Sequence, residues 1–131
     1  MAAAVADARP LSSSQEKIKK GNFANIELQL NPDLLKELGA NRGKNQVLVA
    51  FAAETESIGN ATIEAAKTKM HNKGADLIFL NDVSNGAIFG EDETSGILID
   101  SDGTSVEFKL QSKDTLADLI LDSALDKLGI S

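Results

Sequence analysis

The sequence contains no cysteine and only one histidine, His71. That composition excludes disulfides, thiolate zinc sites and a cysteine nucleophile, and one imidazole cannot build a metal site alone. A reducing cytoplasm is compatible with it and is the expected compartment. Positive charge is also scarce: 13 Lys and Arg stand against 20 Asp and Glu, for a net charge of -7. Nucleic acid and anionic lipid reward a basic surface, so neither is an expected partner, and any anionic ligand must meet a local cluster of Lys or Arg. The opening apolar run, Met1 to Ala6, lacks a basic leader and is too short for a signal peptide or a membrane helix. No GxGxxG occurs, so a complete dinucleotide-binding fold is not encoded.

What is present suits one domain with a real core: 131 residues, 42% apolar and 25% charged. Met1 to Ala6 reads as a buried strand leading into the polar loop ARPLSSSQE. In NIELQL, Ile26, Leu28 and Leu30 alternate with polar residues, which predicts a half-buried strand. Asn31 before Pro32 predicts an N-cap and a short helix from Pro32 to about Leu38, stopping near Gly39. Val47 to Ala53 is nearly all apolar, as a central strand covered on both faces would be. Helical spacing then runs from about Ile58 to Lys73 with Gly74 as the stop, and Leu77 to Leu80 is a second buried strand. Strand, helix, strand with short links is the crossover unit of parallel sheets. GILID and VEFKL flank Ser101, Asp102, Gly103 and Thr104 and predict an antiparallel hairpin. Ser112 caps a final helix whose Leu116, Leu119, Ile120, Ser123, Ala124 and Leu128 share a face. The expected class is α/β: a Rossmann-like three-layer fold, mostly parallel, with an appended C-terminal hairpin and helix.

In such sheets ligands lie beyond the carboxyl ends of the strands. Three places there collect useful groups: Asp7 with Lys17, Phe51 to Glu56, and Asn81 to Ser84. A short carboxylate can accept from ribose hydroxyls and lysines suit phosphates, so a nucleotide is the ligand suggested. Spacing alone nevertheless favours Asp7 as a turn residue and Lys17, Lys19 and Lys20 as a solvated face. Lys69 and Lys73, four apart near a helix C-terminus, are explained equally well by the helix dipole. Phe51 fits either core packing or the border of a nucleobase, and Asn31, Pro32 and Asp33 open a helix whose N–H groups suit a phosphate unless Asn31 fills them. GANRGK, Gly39 to Lys44, lacks the length, the following Ser or Thr and the preceding strand of a phosphate loop. The acidic trio Glu91, Asp92 and Glu93 reads as a solvated loop rather than a magnesium site.

The words themselves are more specific. AAAVADARP, Ala2 to Pro10, resembles AAAVADFRP of the phosphopantothenoylcysteine synthetase family, and KIKK, Lys17 to Lys20, follows at that family's distance. NPDLLKELG resembles its NPDIL segment, AFAAETE its GFAAET, KGADLIFLNDVS its KxxDLIVANDVS, and FGEDET its FGSDEN. The resemblance covers essentially the whole chain, with Ala8, Ala50, Leu80 and Thr94 departing from the family's residues.

The resemblance implies a ligase of coenzyme A synthesis that joins 4'-phosphopantothenate to cysteine. In the bacterial type CTP activates the carboxylate as an acyl cytidylate, and the cysteine amine then displaces CMP. Carried over by position, the nucleotide contacts are Met1, Ala2, Ala3, Asp7, Lys17, Pro32, Asp33, Leu34, Leu35, Phe51, Lys69 and Lys73, with Lys17 the catalytic candidate. The family further implies Mg2+ carried by the nucleotide phosphates, a homodimer, and FMN only where a decarboxylase is fused. Its glycine-rich first strand and helix, and an ITNRSSG-like segment, have no counterpart here. Residues 1–131 are therefore expected to be the C-terminal portion of one synthetase domain, either a truncated ligase or an inactive nucleotide-binding or assembly fragment.

Overall fold

The computed structural model describes residues 5–19, 25–83 and 92–130. They fall into two compact units, one within residues 3–34 and one within residues 35–131. In the first, β1 (Ala8–Pro10) pairs antiparallel with β2 (Leu28–Leu30), Ala8 opposite Leu30 and Pro10 opposite Leu28. Two expectations change here. The opening run does not supply the strand: residues 1–4 lie outside the described residues, Val5 and Ala6 are in no strand, and the pairing falls on Ala8–Pro10 inside the expected loop. Nor is β2 half-buried on its apolar side, because Ile26, Leu28 and Leu30 are exposed and Gln29 is the partly covered residue. A two-stranded ribbon buries little by itself.

The second unit contains α1 (Leu34–Asn41), β3 (Val49–Glu54), α2 (Asn60–Lys73), β4 (Leu77–Asp82), β5 (Glu93–Asp100), β6 (Ser105–Ser112) and α3 (Lys113–Leu128). The sheet order is β3-β4-β5-β6. β3 and β4 pair parallel, with Phe51 opposite Phe79, while β4–β5 and β5–β6 pair antiparallel. This is a mixed α/β sheet, with the one parallel pair made by the expected β3-α2-β4 crossover. β3, expected centrally, is an edge strand of the described sheet, and Phe51 is 44% exposed on it.

Helices cover both faces. Leu35 of α1 and Ala66 and Met70 of α2 bury Ala50, Ile78, Leu80 and Ile99 on one side. Leu116 and Ile120 of α3 bury Leu77, Phe79 and Leu98 on the other. Because side chains alternate along a strand, covering both faces turns Leu77–Leu80 into an unbroken apolar run, each residue at most 2% exposed.

Terminal chemistry sets the helix lengths. Gly74, at φ 65°, ends α2 in the left-handed conformation that glycine adopts without Cβ strain. Ser112 accepts the Thr115 N–H at 3.1 Å and starts α3. α1 begins at Leu34, two residues later than its sequence predicts, and runs through Gly39 to Asn41. Gly39 is a packing residue here, not a stop: a Cβ on it would collide with the Lys73 carbonyl oxygen.

Candidate functional site

β4 and β6 run in the same direction, since each is antiparallel to β5, so the C-terminal end of β4 and the start of α3 lie at one end of the sheet. A cavity of about 560 Å³ opens there on the α3 face. Phe51, Phe79, Leu116 and Ile120 form its apolar wall, and Asn81, Thr94 and Lys113 bring polar groups to it. The two aromatic rings meet edge to face, centroids 6.2 Å apart at 65°. Thr94 Oγ1 donates to Asn81 Oδ1 across the β4–β5 ladder. Apolar walls with a few convergent polar groups are the usual makeup of a small-molecule pocket.

Of the sequence candidates, Phe51 lines this cavity while Lys69 and Lys73 do not. They sit in the last turns of α2, on the opposite face of the sheet, beside the N-terminal end of β4. Leu35 is buried in the core beneath α1. Met1, Ala2, Ala3, Lys20 and residues 84–91, with Glu91 of the acidic trio, lie outside the described residues.

In the smaller unit Asp7 and Lys17 are exposed, as are Pro32, Asp33 and Leu34. Asn31 ties two of the sequence words together there. Its backbone N–H donates to the Asp7 carbonyl at 2.8 Å, its amide donates to the Ala6 carbonyl at 2.7 Å, and its side-chain oxygen accepts from Arg9 at 2.6 Å. That commitment explains the shifted helix start, because the residue preceding Leu34 is Asp33 and Asn31 is not the cap. Asp7 and the approach to α1 are thus held side by side, while Lys17 has no contact described with either.

Sequence reasoning passed over Thr94, Lys113, Arg9 and Asp76. The Asp76 carboxylate accepts the Leu48 N–H at 2.8 Å and pairs with Arg42, giving part of the discarded GANRGK segment a structural task. Lys113 was findable in principle: it follows the Ser112 cap, and counting strand directions brings that cap to the crevice end. No cluster of three or more potential metal-ligating side chains occurs among the described residues, and no described helix is long and apolar enough to cross a membrane.

Against known proteins, the family described as DNA/pantothenate metabolism flavoprotein C-terminal domain matches residues 1–128. The chain belongs to that family. The coenzyme A biosynthesis bifunctional protein CoaBC of Mycobacterium tuberculosis (strain ATCC 25618 / H37Rv) is 38% identical over 136 residues, a match covering 98% of this chain and 32% of the relative. CoaBC of Bacillus subtilis is 42% identical over 113 residues, covering 85% and 27%. The crystal structure of the C-terminal domain of CoaBC superposes with a TM-score of 0.69 at 30% identity, covering 98% of this chain and 53% of that one. The chain thus spans about a third of these curated relatives and about half of the solved domain.

Proposed function

We propose that this chain is part of a phosphopantothenate-cysteine ligase of coenzyme A synthesis, working with CTP. The observation that carries the reading is the family match over residues 1–128, beside which stands the resemblance of the sequence words around Asp7, Pro32, Phe51 and Asn81 to those of the synthetase family. The reaction has two steps. The carboxylate of 4'-phosphopantothenate attacks the α-phosphate of CTP, expelling pyrophosphate and forming an acyl cytidylate. The cysteine amine then attacks the acyl carbon, forming the amide and releasing CMP.

In this reading Asp7 accepts from the ribose hydroxyls, and the segment leading into α1, Pro32 to Leu35, lies against phosphate, with the N–H groups of Asp33, Leu34 and Leu35 as donors. Lys17 offsets the charge that builds on the triphosphate as its bond breaks, the kind of interaction that lowers a barrier rather than merely tightening binding. Phe51 borders the base. Lys69 and Lys73 offset phosphate charge, and Mg2+ travels with those phosphates. The N-terminal residues Met1, Ala2 and Ala3 complete the set. Since Phe51 and the two lysines are on opposite faces of one sheet, a single nucleotide that meets all three draws some of them from a second copy, in keeping with the homodimer that the family resemblance implies. FMN enters only with a fused decarboxylase, and a cytoplasmic location follows from the substrates.

The same separation favours a second reading, in which the isolated chain binds nucleotide or assembles with other segments without turning substrate over. Incubating the purified chain with CTP, Mg2+, 4'-phosphopantothenate and cysteine separates the two. Release of CMP and pyrophosphate in equal amounts supports the ligase in this chain alone. CTP binding with no release assigns it the binding role.

A further inference from the structure

One end of the β1–β2 ribbon is closed by a single residue. The Asn31 N–H bond to the Asp7 carbonyl, at 2.8 Å, carries the pairing one residue beyond Ala8 and Leu30. The two segments that leave the ribbon there are the ones that carry Asp7 and Pro32. A two-stranded ribbon is marginal by itself, so their spacing depends on what else ties them together. The Asn31 side chain does so: its nitrogen donates to the Ala6 carbonyl at 2.7 Å and its oxygen accepts from Arg9 Nη1 at 2.6 Å. Arg9 stands opposite Gln29 and reaches Asn31 along the diagonal of the ladder.

The two carbonyls bound by Asn31 belong to the two peptide units on either side of the Asp7 Cα. Each unit is planar, so holding both sets the direction in which the Asp7 side chain leaves the backbone. The Asp7 carboxylate is exposed and makes no hydrogen bond among the described residues. Its aim therefore comes from the backbone, and the backbone is aimed by Asn31. Arg9 has a second task. A guanidinium only donates, so it fixes which end of the Asn31 amide is oxygen and leaves the nitrogen facing Ala6. Aspartate at this position would keep the acceptor for Arg9 and lose the donor for Ala6.

We propose that Asn31, backed by Arg9, is a positioning residue that aims the Asp7 carboxylate at a ribose and so sets a preference for ribonucleotides. The inference rests on the nucleotide reading of Asp7 and adds to it the residues that make that contact selective. Pro32 follows Asn31 directly, so the same residue holds the ribose acceptor beside the segment read as facing phosphate. Hydrogen bonds weaken steeply with distance and angle, and a displacement of about 1 Å at a positioned group can cost about a hundredfold.

Calorimetric titration of the 131-residue chain with CTP and with 2',3'-dideoxy-CTP, which lacks both hydroxyls, tests the proposal. The unchanged chain is expected to bind CTP at least about tenfold more tightly, as a hydrogen bond to a charged group warrants. D7A is expected to bring the two nucleotides within about threefold of each other, and N31A and N31D to do the same although the carboxylate remains. R9A leaves the amide in place without its backing and is expected to lower the preference at least about twofold. It also keeps the test open if N31A fails to fold. In D7A/N31A the preference falls no further than in D7A, since both act on one contact. If N31A or N31D weakens both nucleotides alike and keeps the preference while D7A abolishes it, Asn31 is merely structural and the inference is overturned, with the reading of Asp7 intact. An R9A chain with the full preference overturns the part given to Arg9. If D7A keeps the preference, or the unchanged chain shows none or binds neither nucleotide, the reading of Asp7 falls and the inference falls with it.

Discussion

Thr94 and Asn81 meet across the β4–β5 ladder, the hydroxyl of Thr94 donating to the side-chain oxygen of Asn81 where β5 begins and β4 ends. The bond joins two separate sequence words, LND and EDET, at the rim of the Phe51 cavity. Thr94→Val keeps the shape of the side chain and removes the donor. It is expected to cost about 1 kcal/mol in urea unfolding, the net value of one partly buried hydrogen bond, whereas Thr94→Ser retains the donor and most of that stability.

Gly39 and Gly96 are expected to resist even alanine. A Cβ on Gly39 meets the Lys73 carbonyl, and one on Gly96 meets the Leu80 carbonyl with Phe79 Cζ at 2.6 Å. Backbone cannot yield as a flexible side chain can, so Gly39→Ala and Gly96→Ala each lose about 1–3 kcal/mol or more. Gly59→Ala, with nothing within 4 Å of the added atom, meets no clash and gives up only the N-cap preference at the start of α2, a loss of at most about 1 kcal/mol.

Asp76 acts chiefly through the Leu48 N–H rather than through its ion pair. The pair with Arg42 is partly exposed, side chains 32% and 20% accessible, so Arg42→Ala costs less than about 1 kcal/mol. Asp76→Ala strips a charge-assisted bond from a part-buried backbone donor and costs about 1.5–3 kcal/mol. Thermal melts of the two variants at one pH distinguish them.

At the β5–β6 turn, the backbone N–H of Thr104 and then its hydroxyl, at 2.8 and 2.7 Å, hold the Asp102 carboxyl below its ordinary pKa. A lowered folded-state pKa stabilises the fold above the ordinary aspartate value, and that contribution fades as pH falls through the folded one. Acid titration of amide exchange at Gly103 and Thr104 should therefore show the turn loosening only below the ordinary aspartate range. Asp102→Asn should remove this step.

Much of the larger unit was legible because its signals are local. Leu77–Leu80, the Ser101 to Thr104 turn and the Ser112 cap each announce their structure within a few residues. The rest depends on partners distant in sequence. β1 forms at Ala8–Pro10 because Leu28–Leu30 comes to meet it, and α1 starts late because the Asn31 amide is committed to Ala6 and Arg9. The site divides in the same way. Phe51 could be placed at a strand's crevice end from the sequence, but the membership of Lys113 and Thr94 in its cavity, and the remoteness of Lys69 and Lys73 from it, follow from strand directions and helix faces that no short word encodes.

The most direct test of the ligase account replaces the matching segment of Bacillus subtilis CoaBC with this chain and measures CTP-dependent formation of phosphopantothenoylcysteine by mass spectrometry. The account predicts product with release of CMP, and about a hundredfold loss of turnover when Lys17→Ala is introduced into the chimera. A folded chimera that binds its substrates and forms no product, or one whose turnover ignores Lys17→Ala, would contradict it.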